Sequence, residues 1–256
     1  LMDYDPDEVD RGHSVSASIA FYEWKKSKIN LIDTPGDNNF VADTPASLRV
    51  VDGVVIVINA VDGVQFYTEK VWNASTELDL PKIIFINKVD HQQADIKSVL
   101  ESIKKKFKVN PFCIHTAVGT GEKFTGVIDV LSKKFHSYQK DGSGKNKTDA
   151  IPDLMTEEVN SSFGELTELV AEVDDDLTEN YLENGELSEK EFNDGFKRGV
   201  KEGKLLPVFL GSATQNMGVD LLMGGIIDYL PSPDQRGSVR SEERRVGKEC
   251  RSRWSP

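Results

Sequence analysis

Alternating and continuous runs of apolar residues predict four strands in the first part of the chain. Residues 15–21 alternate apolar side chains with serine, the period-two pattern of a half-buried strand, and Ile29–Ile32 indicates a second strand. Val50–Ala60 and Lys82–Ile86 are rich in Val and Ile without alternation. Such runs are typical of parallel strands that are buried on both faces.

Helical spacing of apolar residues at Tyr67–Leu78 and Ala94–Phe107 predicts a helix after each of the last two strands. Alternating strands and helices favour an α/β fold with a doubly wound, mostly parallel sheet. In such sheets, ligands bind at the carboxyl ends of the strands. Two polar segments, Asp33-Thr34-Pro35-Gly36 and Asn87-Lys88-Val89-Asp90, follow predicted strands and are therefore candidates for a binding site.

Beyond the second helix the pattern changes. An α+β insertion is indicated by predicted short strands at Phe112–Ile114 and Gly126–Val130, a Gly- and Lys-rich loop at residues 140–147 and helical spacing over Ile151–Tyr181. Ser188 and Glu191 form a predicted capping box of a further helix. The core pattern resumes with a strand at Leu205–Leu210 and a helix after it. The predicted organisation is a first domain at residues 1–108, the insertion at 109–204, the rest of the first domain at 205–239 and a tail at 240–256.

The chain is acidic, with a net charge of −12 and a pI near 4.9. This charge argues against a free-standing protein that binds DNA or other bare nucleic acid. No apolar run approaches the roughly 20 residues of a membrane span, and we expect no signal peptide. Cys113 and Cys250 form neither a disulfide framework nor a metal-binding pattern. These features predict a cytoplasmic protein with no membrane partner.

The last residues, Arg240–Pro256, differ from the rest in composition. They hold six Lys or Arg against three Asp or Glu, with no apolar periodicity. One interpretation is a native basic tail that binds RNA or a partner. The other is a non-native segment, because the run resembles the translation of a sequencing-library adapter. Without these residues the net charge is −15 and Cys113 is the one remaining cysteine.

The second polar segment has the composition of a purine-binding site. The carboxylate of Asp90 can accept hydrogen bonds from both N1–H and the N2 amine of guanine. Adenine offers no such donor pair and would leave a buried acceptor unpaired. Lys88 can lay its aliphatic stem along the base, and Asn87 can tie neighbouring loops together. Taken alone, these residues would suit an ordinary polar loop equally well.

The other candidate segments suit the phosphate end and the far edge of a nucleotide. Asp33 at a strand end can hold Mg²⁺ through a water, and Gly36 lets a backbone N–H approach a γ-phosphate. The amides of the loop Gly211-Ser212-Ala213 can meet guanine O6. Each segment also has an ordinary interpretation as a turn. Their order after three successive strands favours one nucleotide site.

With these three motifs in this order along the sequence, the chain resembles the GTP-binding domain of translational GTPases. The resemblance is strongest to bacterial elongation factor G and elongation factor G-like proteins. The similarity covers essentially Leu1–Val239. Beyond the general motifs, it rests on residues 11–15 (RGHSV), 47–50 (SLRV), 60–65 (AVDGVQ), 68–72 (TEKVW), 124–129 (FTGVID) and 228–233 (DYLPSP). The resemblance implies a Ras-like P-loop NTPase fold, truncated at its N-terminus and interrupted by an α+β insertion.

The resemblance also implies cofactors, partners and residue roles. It implies GTP or GDP with Mg²⁺, a cytoplasmic monomer, and the ribosome, through rRNA and ribosomal proteins, as partner. Ser14 stands at the position whose hydroxyl binds Mg²⁺ in the family. Asp33 stands at the position that holds Mg²⁺ through a water. The remaining nucleotide-binding positions are Thr34, Pro35, Gly36, Asn87, Lys88, Asp90, Ser212 and Ala213. Gly36 and Asp37 fall at the catalytic positions.

Three departures from the family pattern limit the transfer. No G-x-x-x-x-G-K-[ST] loop occurs, since Gly144-Lys145 lacks the required spacing, so we expect the phosphate loop and its strand upstream of Leu1. Asp37 replaces the histidine that orients the hydrolytic water, and its charge adds repulsion beside the γ-phosphate. His13 replaces a common isoleucine, either through drift or as a partial substitute for the missing histidine.

Four hypotheses on function remain at this stage. The first is a GTP-hydrolysing elongation factor that acts on the ribosome in translocation. The second is a hydrolysis-impaired paralogue of the same fold, favoured by Asp37. The third is a ribosome-protection or ribosome-recycling GTPase. The fourth is that residues 1–256 alone are inactive, because they lack the phosphate loop.

Overall fold

The computed structural model describes residues 2–235, apart from the side chains of Asn38 and Val41, so the predicted tail at 240–256 lies outside the described residues. Within this range the chain forms three sheets. The strands are β1 Ser18–Trp24, β2 Ser27–Asp33, β3 Val54–Asn59, β4 Lys82–Asn87, β5 Pro111–Cys113, β6 His115–Val118, β7 Gly126–Asp129, β8 Lys134–Tyr138, β9 Asn146–Asp149 and β10 Leu206–Leu210. The helices are α1 Pro6–Arg11, α2 Thr44–Leu48, α3 Phe66–Glu77, α4 Ile96–Phe107, α5 Thr156–Ala171, α6 Asp175–Asn184, α7 Glu189–Lys201 and α8 Val219–Tyr229, with short 3-10 turns at Asn38–Asp43, Gly121–Lys123 and Asp153–Met155.

The central sheet is parallel, with the strand order β3-β4-β10-β5. Side chains of β4 alternate between its two faces. Ile84 and Ile86 pack in one core cluster with residues of α3 and α4. Ile83 and Phe85 pack in a second cluster with residues of α5, α7 and α8. Helices therefore cover both faces, and the predicted α/β fold with a mostly parallel sheet is confirmed.

The predicted faces of two strands are wrong. In β1 the apolar side chains of Ile19 and Phe21 are 78% and 65% exposed, whereas the sequence predicted them on the buried face. Within the described residues β1 and β2 form a separate two-stranded antiparallel sheet, so no further strand or sheet layer covers that face. Val57 in β3, an edge strand of the described parallel sheet, is likewise 58% exposed, whereas the sequence predicted β3 to be buried on both faces.

In the middle of the chain, β5 and β7 match the two short strands predicted from the sequence, whereas β6, β8 and β9 were not predicted. β5 pairs with β10 in the parallel sheet, so by sheet membership the change of architecture falls after Cys113 rather than at residue 109. β6, β7, β8 and β9 then form an antiparallel sheet in sequential order. The division of the chain into domains stays a prediction.

Helix ends follow their capping residues. The single helical stretch predicted over residues 151–181 is two helices, α5 and α6, separated where the Asp174 carboxylate accepts the Leu177 N–H (2.8 Å). The predicted capping box is confirmed, since Ser188 Oγ accepts the Glu191 N–H (3.3 Å) and the Glu191 carboxylate accepts the Ser188 N–H (3.0 Å). No helix in residues 2–235 is long and apolar enough to cross a membrane.

His115 joins the parallel sheet to the antiparallel sheet. Its ring is 2% exposed, and Nδ1 accepts the N–H of Leu210 in β10 at 3.4 Å. Burial lowers the pKa of His115 to about 4, although the charge of nearby Asp129 acts in the opposite direction. The imidazole is therefore neutral in the folded protein at pH values well above 4.

We predict that His115 makes the stability depend on pH between 6.5 and 5. In the unfolded chain the ring gains a proton below its ordinary pKa near 6.5, whereas the folded ring resists protonation down to about 4. Stability therefore falls as the pH drops through this window, by on the order of 1 kcal/mol from this residue. Urea unfolding at pH 6.5 and 5 measures the change.

The matched control for that experiment is an exposed histidine. His115→Gln keeps an acceptor for Leu210 but cannot titrate, so its stability should change less over the window than that of the wild type. His91→Gln, at an exposed position, is the control for the loss of a histidine elsewhere in the chain. An equal slope for His115→Gln and the wild type would contradict the assignment.

Candidate functional site

The end of β4 turns sharply into the loop that carries Asp90. Lys88 adopts a left-handed backbone conformation with φ of +63°, which is uncommon for a residue with a side chain. The Asn87 side chain supports this conformation, because its Oδ1 accepts the Lys88 N–H at 2.8 Å. Val89 is fully buried beyond the turn, while Lys88 is exposed and Asp90 is half-buried. The turn thus places a lysine and a carboxylate at the carboxyl end of β4.

The loop after β10 lies against this turn. Asn87 Oδ1 also accepts the N–H of Ala213 at 2.8 Å, and Val89 donates its N–H to Gly211 O at 3.2 Å. β4 and β10 are neighbouring parallel strands, so their carboxyl ends meet at one edge. The structure therefore brings together Asn87, Lys88, Asp90, Ser212 and Ala213.

Close packing fixes the path of this second loop. A Cβ added to Gly211 would lie 2.3 Å from Met217 O and 2.9 Å from the Phe85 ring, so only glycine fits. Ser212 is buried, and it exchanges two backbone hydrogen bonds with Met217, at 3.0 and 2.9 Å. The loop is held by its own backbone and by the strand beneath it.

One predicted donor role needs a correction. The sequence assigned the amides of residues 211–213 to guanine O6, but all three N–H groups donate within the protein, to Ile86 O, Met217 O and Asn87 Oδ1. Ala213 is exposed, so a base oxygen can still share its N–H with Asn87 in a three-centre bond. Ser212 is buried, and its N–H forms a hydrogen bond with Met217 O within the loop.

A second group of predicted residues meets at the end of β2. Ser14 Oγ lies 2.8 Å from Asp3 Oδ1 and 3.4 Å from Asp33 Oδ2. Burial raises the pKa of Asp33, the charge of Asp3 raises it further, and the hydrogen bond from Ser14 opposes both. The two carboxylates therefore repel each other at this position.

The oxygen atoms of this group fit a hard divalent cation. Hydroxyl and carboxylate oxygens are the ligands that Mg²⁺ prefers, and a cation would relieve the repulsion between Asp3 and Asp33. Across residues 2–235 no cluster of three or more His, Cys, Asp or Glu side chains is arranged to hold a metal ion. Ser14 and Asp33 would hold Mg²⁺ together with oxygen ligands from water or nucleotide.

Glu8 positions this segment and was missed by sequence reasoning. Its side chain is buried, and Oε1 accepts the N–H groups of Val15 (2.9 Å) and Ser16 (3.1 Å). These hydrogen bonds lower the pKa of Glu8. Glu8 thus fixes the backbone on the C-terminal side of Ser14. The signal in the sequence is the capping box that Glu8 forms with Asp5 at the start of α1.

The residues at the predicted catalytic positions have local roles. A Cβ on Gly36 would meet no atom within 4 Å, so the protein leaves open space at this backbone. The Asp37 carboxylate accepts the Asn39 N–H at 2.8 Å and supports the turn at Asn38–Asp43. His13 is exposed, with its ring centroid 6.0 Å from that of Phe40 in the same turn. The structure thus brings His13 near the segment that follows Asp37.

Comparison with known proteins assigns the fold to a family. The profile of the family described as "Elongation factor Tu GTP binding domain" matches residues 1–232. The chain belongs to this family. Its fold is therefore that of the GTP-binding domain of translational GTPases. Its polar sheet edge, with N-K-x-D after β4 and the Ser212-Ala213 loop after β10, lies where parallel α/β sheets bind ligands.

A solved structure supports the same assignment. The GTP-binding domain is similar to the crystal structure of a protein from Thermus thermophilus, with a TM-score of 0.84 and 29% identity over 92% of this chain. The match covers 35% of the Thermus protein, so the chain spans about a third of the length of that relative.

We predict that Asn87→Ala loosens the junction between the two loops. The substitution leaves the N–H groups of Lys88 and Ala213 without their acceptor, which should lower the free energy of unfolding by about 1–3 kcal/mol. Hydrogen exchange of the Ala213 amide should accelerate by more than the loss in free energy of unfolding explains. Asn30→Ala, at an exposed position of β2, serves as the control. Unchanged exchange at Ala213 would show that Asn87 does not hold the loop.

Proposed function

We propose that the chain is the guanine-nucleotide domain of a GTP-hydrolysing elongation factor of the elongation factor G type, which acts on the ribosome in translocation. The observation that carries this proposal is the Asn87 side chain, which holds the Ala213 amide at 2.8 Å beside the N-K-x-D turn. This junction supports one site for the base, formed by two loops that are far apart in sequence.

In the proposed site each residue meets a different part of guanine. The half-buried Asp90 carboxylate accepts from N1–H and the N2 amine, which distinguishes guanine from adenine. The stem of Lys88 covers one face of the base, and the N–H of Ala213 reaches O6 while it still contacts Asn87. We assign Asn87 a positioning role, since its oxygen is used within the protein.

The phosphate end is proposed to lie near β2. Ser14 and Asp33 would hold Mg²⁺, which neutralises charge on the phosphates when it is bound. Thr34 and Pro35 carry the chain from Asp33 to Gly36, whose open backbone leaves room for a γ-phosphate. Residues 1–256 contain no G-x-x-x-x-G-K-[ST] phosphate loop, and we therefore expect these residues alone to be inactive.

Asp37 favours a second candidate, a paralogue that binds GTP but hydrolyses it slowly. Its carboxylate already accepts the Asn39 N–H, so it is held in the turn after Gly36. A carboxylate next to the γ-phosphate opposes the charge that must be stabilised in the transition state. A neutral histidine at this position would orient water without that repulsion.

Exchange of the base tests guanine recognition in the full-length gene product. Asp90→Asn replaces an acceptor by an amide that can donate to the 2-carbonyl of xanthine. We expect GDP affinity to fall by about 10- to 100-fold and XDP affinity to rise. Asp79→Asn is the control, because Asp79 is exposed before β4 and has a φ of +50° that asparagine tolerates. Equal GDP affinity for Asp90→Asn and the wild type would refute the proposed site.

Ribosome-stimulated GTP turnover separates the two candidates. A full-length wild type that exceeds its ribosome-free control supports the elongation factor, whereas equal rates support the hydrolysis-impaired paralogue. In the second case Asp37→His should raise turnover by about tenfold or more, because it removes the opposing charge. His13→Ala tests whether His13 substitutes for the missing histidine, and a rate equal to the wild type would exclude that role.

A further inference from the structure

The β8–β9 hairpin lies directly on the loop that follows β10, here called the base loop (residues 211–218). Gly144 has a φ of +68°, and a Cβ added there would lie 2.4 Å from Asn216 Nδ2, 2.8 Å from its Cγ and 3.2 Å from its backbone oxygen. No side chain fits at residue 144 unless Asn216 moves. The base loop is therefore packed against the hairpin on one side and joined to Asn87 on the other.

A second contact fixes the end of the base loop. α8 begins immediately after the loop, and Asp220 lies in its first turn. One carboxylate oxygen of Asp220 accepts the Tyr138 hydroxyl at 2.6 Å, and the other accepts the Asn146 amide at 2.7 Å. Burial and this acceptor raise the pKa of Tyr138, which keeps the hydroxyl protonated as a donor. Both strands of the hairpin thus form hydrogen bonds with the first turn of α8.

A third contact reaches the N-K-x-D turn from the same antiparallel sheet. The turn that precedes β7 donates the Gly121 N–H to Val89 O at 3.3 Å, and Glu122 accepts the Gln92 amide at 2.9 Å. Lys140, in the β8–β9 hairpin, also donates to the backbone oxygen of Glu122. The two segments that touch the guanine-recognition loops are therefore bonded to each other.

We propose that the β8–β9 hairpin is a positioning element for guanine recognition, which sets the base loop against the N-K-x-D turn through Gly144, Tyr138 and Asn146. None of these three residues belongs to the motifs of the site. The inference rests on the proposed function and deepens it, because it names what holds the base-reading loop in place. It follows that displacement of the hairpin lowers guanine affinity while leaving the phosphate end of the site intact.

Two glycines in the hairpin allow a matched test in the full-length gene product. Gly142 has a φ of +72°, close to that of Gly144, but a Cβ there meets no atom within 4 Å. Gly142→Ala and Gly144→Ala thus share the backbone strain of a left-handed alanine, and the clash with Asn216 occurs in the second alone. The measurements are affinities for GDP, ADP and pyrophosphate, and the KM and kcat of GTP turnover.

We expect Gly144→Ala to weaken GDP binding by about tenfold relative to Gly142→Ala, comparable to the loss of one good hydrogen bond. Affinity for ADP and pyrophosphate should be equal in the two variants, so guanine selectivity falls. KM for GTP should rise with kcat unchanged. General destabilisation would instead reduce all three affinities together. Asn216→Gly, compatible with the φ of +54° at that position, should restore GDP affinity when combined with Gly144→Ala.

Other outcomes overturn the inference in distinguishable ways. If the wild type binds GDP and the two alanine variants bind it equally, the positioning role is wrong although the proposed function stands. If the wild type binds no GDP, the proposed function fails and the inference fails with it. Should Gly144→Ala not fold, Tyr138→Phe removes a single hydroxyl, with exposed Tyr4→Phe as control. Equal GDP affinity in that pair would also overturn the inference.

Discussion

The candidate site depends on one side chain, that of Asn87, which joins the ends of two neighbouring parallel strands. Its oxygen accepts the N–H of Lys88 and the N–H of Ala213, both at 2.8 Å. The first bond supports a left-handed turn that costs about 1–3 kcal/mol in an ordinary residue. The second brings a loop from the other end of the chain to that turn. Together with the bond from Val89 N–H to Gly211 O (3.2 Å), this junction sets the position of the base loop relative to the turn that carries Asp90.

The two ends of the proposed site are organised in different ways. At the base end, backbone hydrogen bonds and glycine contacts fix the loops before a ligand arrives, so recognition depends on preorganised polar groups. At the proposed phosphate end, Ser14, Asp33 and Asp3 bring together oxygen atoms and negative charge, and a bound cation would balance that charge. Under the proposed function, the carboxylate of Asp37 follows Gly36 directly, so we expect hydrolysis to be the property most affected by the departures from the family pattern.

Local sequence patterns predicted the framework because burial repeats with the period of the element. Runs of Val and Ile identified β3 and β4, and the capping box at Ser188 identified the start of α7. The motifs fell at strand ends because loops there carry the polar residues. The face of β1 was predicted wrongly, since alternation gives the period of a strand but does not say which face a neighbouring layer covers.

The contacts that position the site could not be predicted in this way. Tyr138 and Asp220 are 82 residues apart, and neither lies in a repeating pattern that points to the other. Gly144 stands in a loop whose composition indicates only a turn, and its φ of +68° and its contact with Asn216 both favour glycine there. β8 and β9 are short and polar, so periodicity gives them little signal. Such contacts depend on how separate elements pack, which a single sequence does not encode locally.

The structure of the full-length gene product with GDP and Mg²⁺ would test the central claim most directly. We expect the Asp90 carboxylate within hydrogen-bond distance of both N1 and N2 of guanine, with Ala213 facing O6 and Asn87 still bonded to the base loop. A base bound elsewhere, or bound with Asp90 turned away from its N1–N2 edge, would contradict the account.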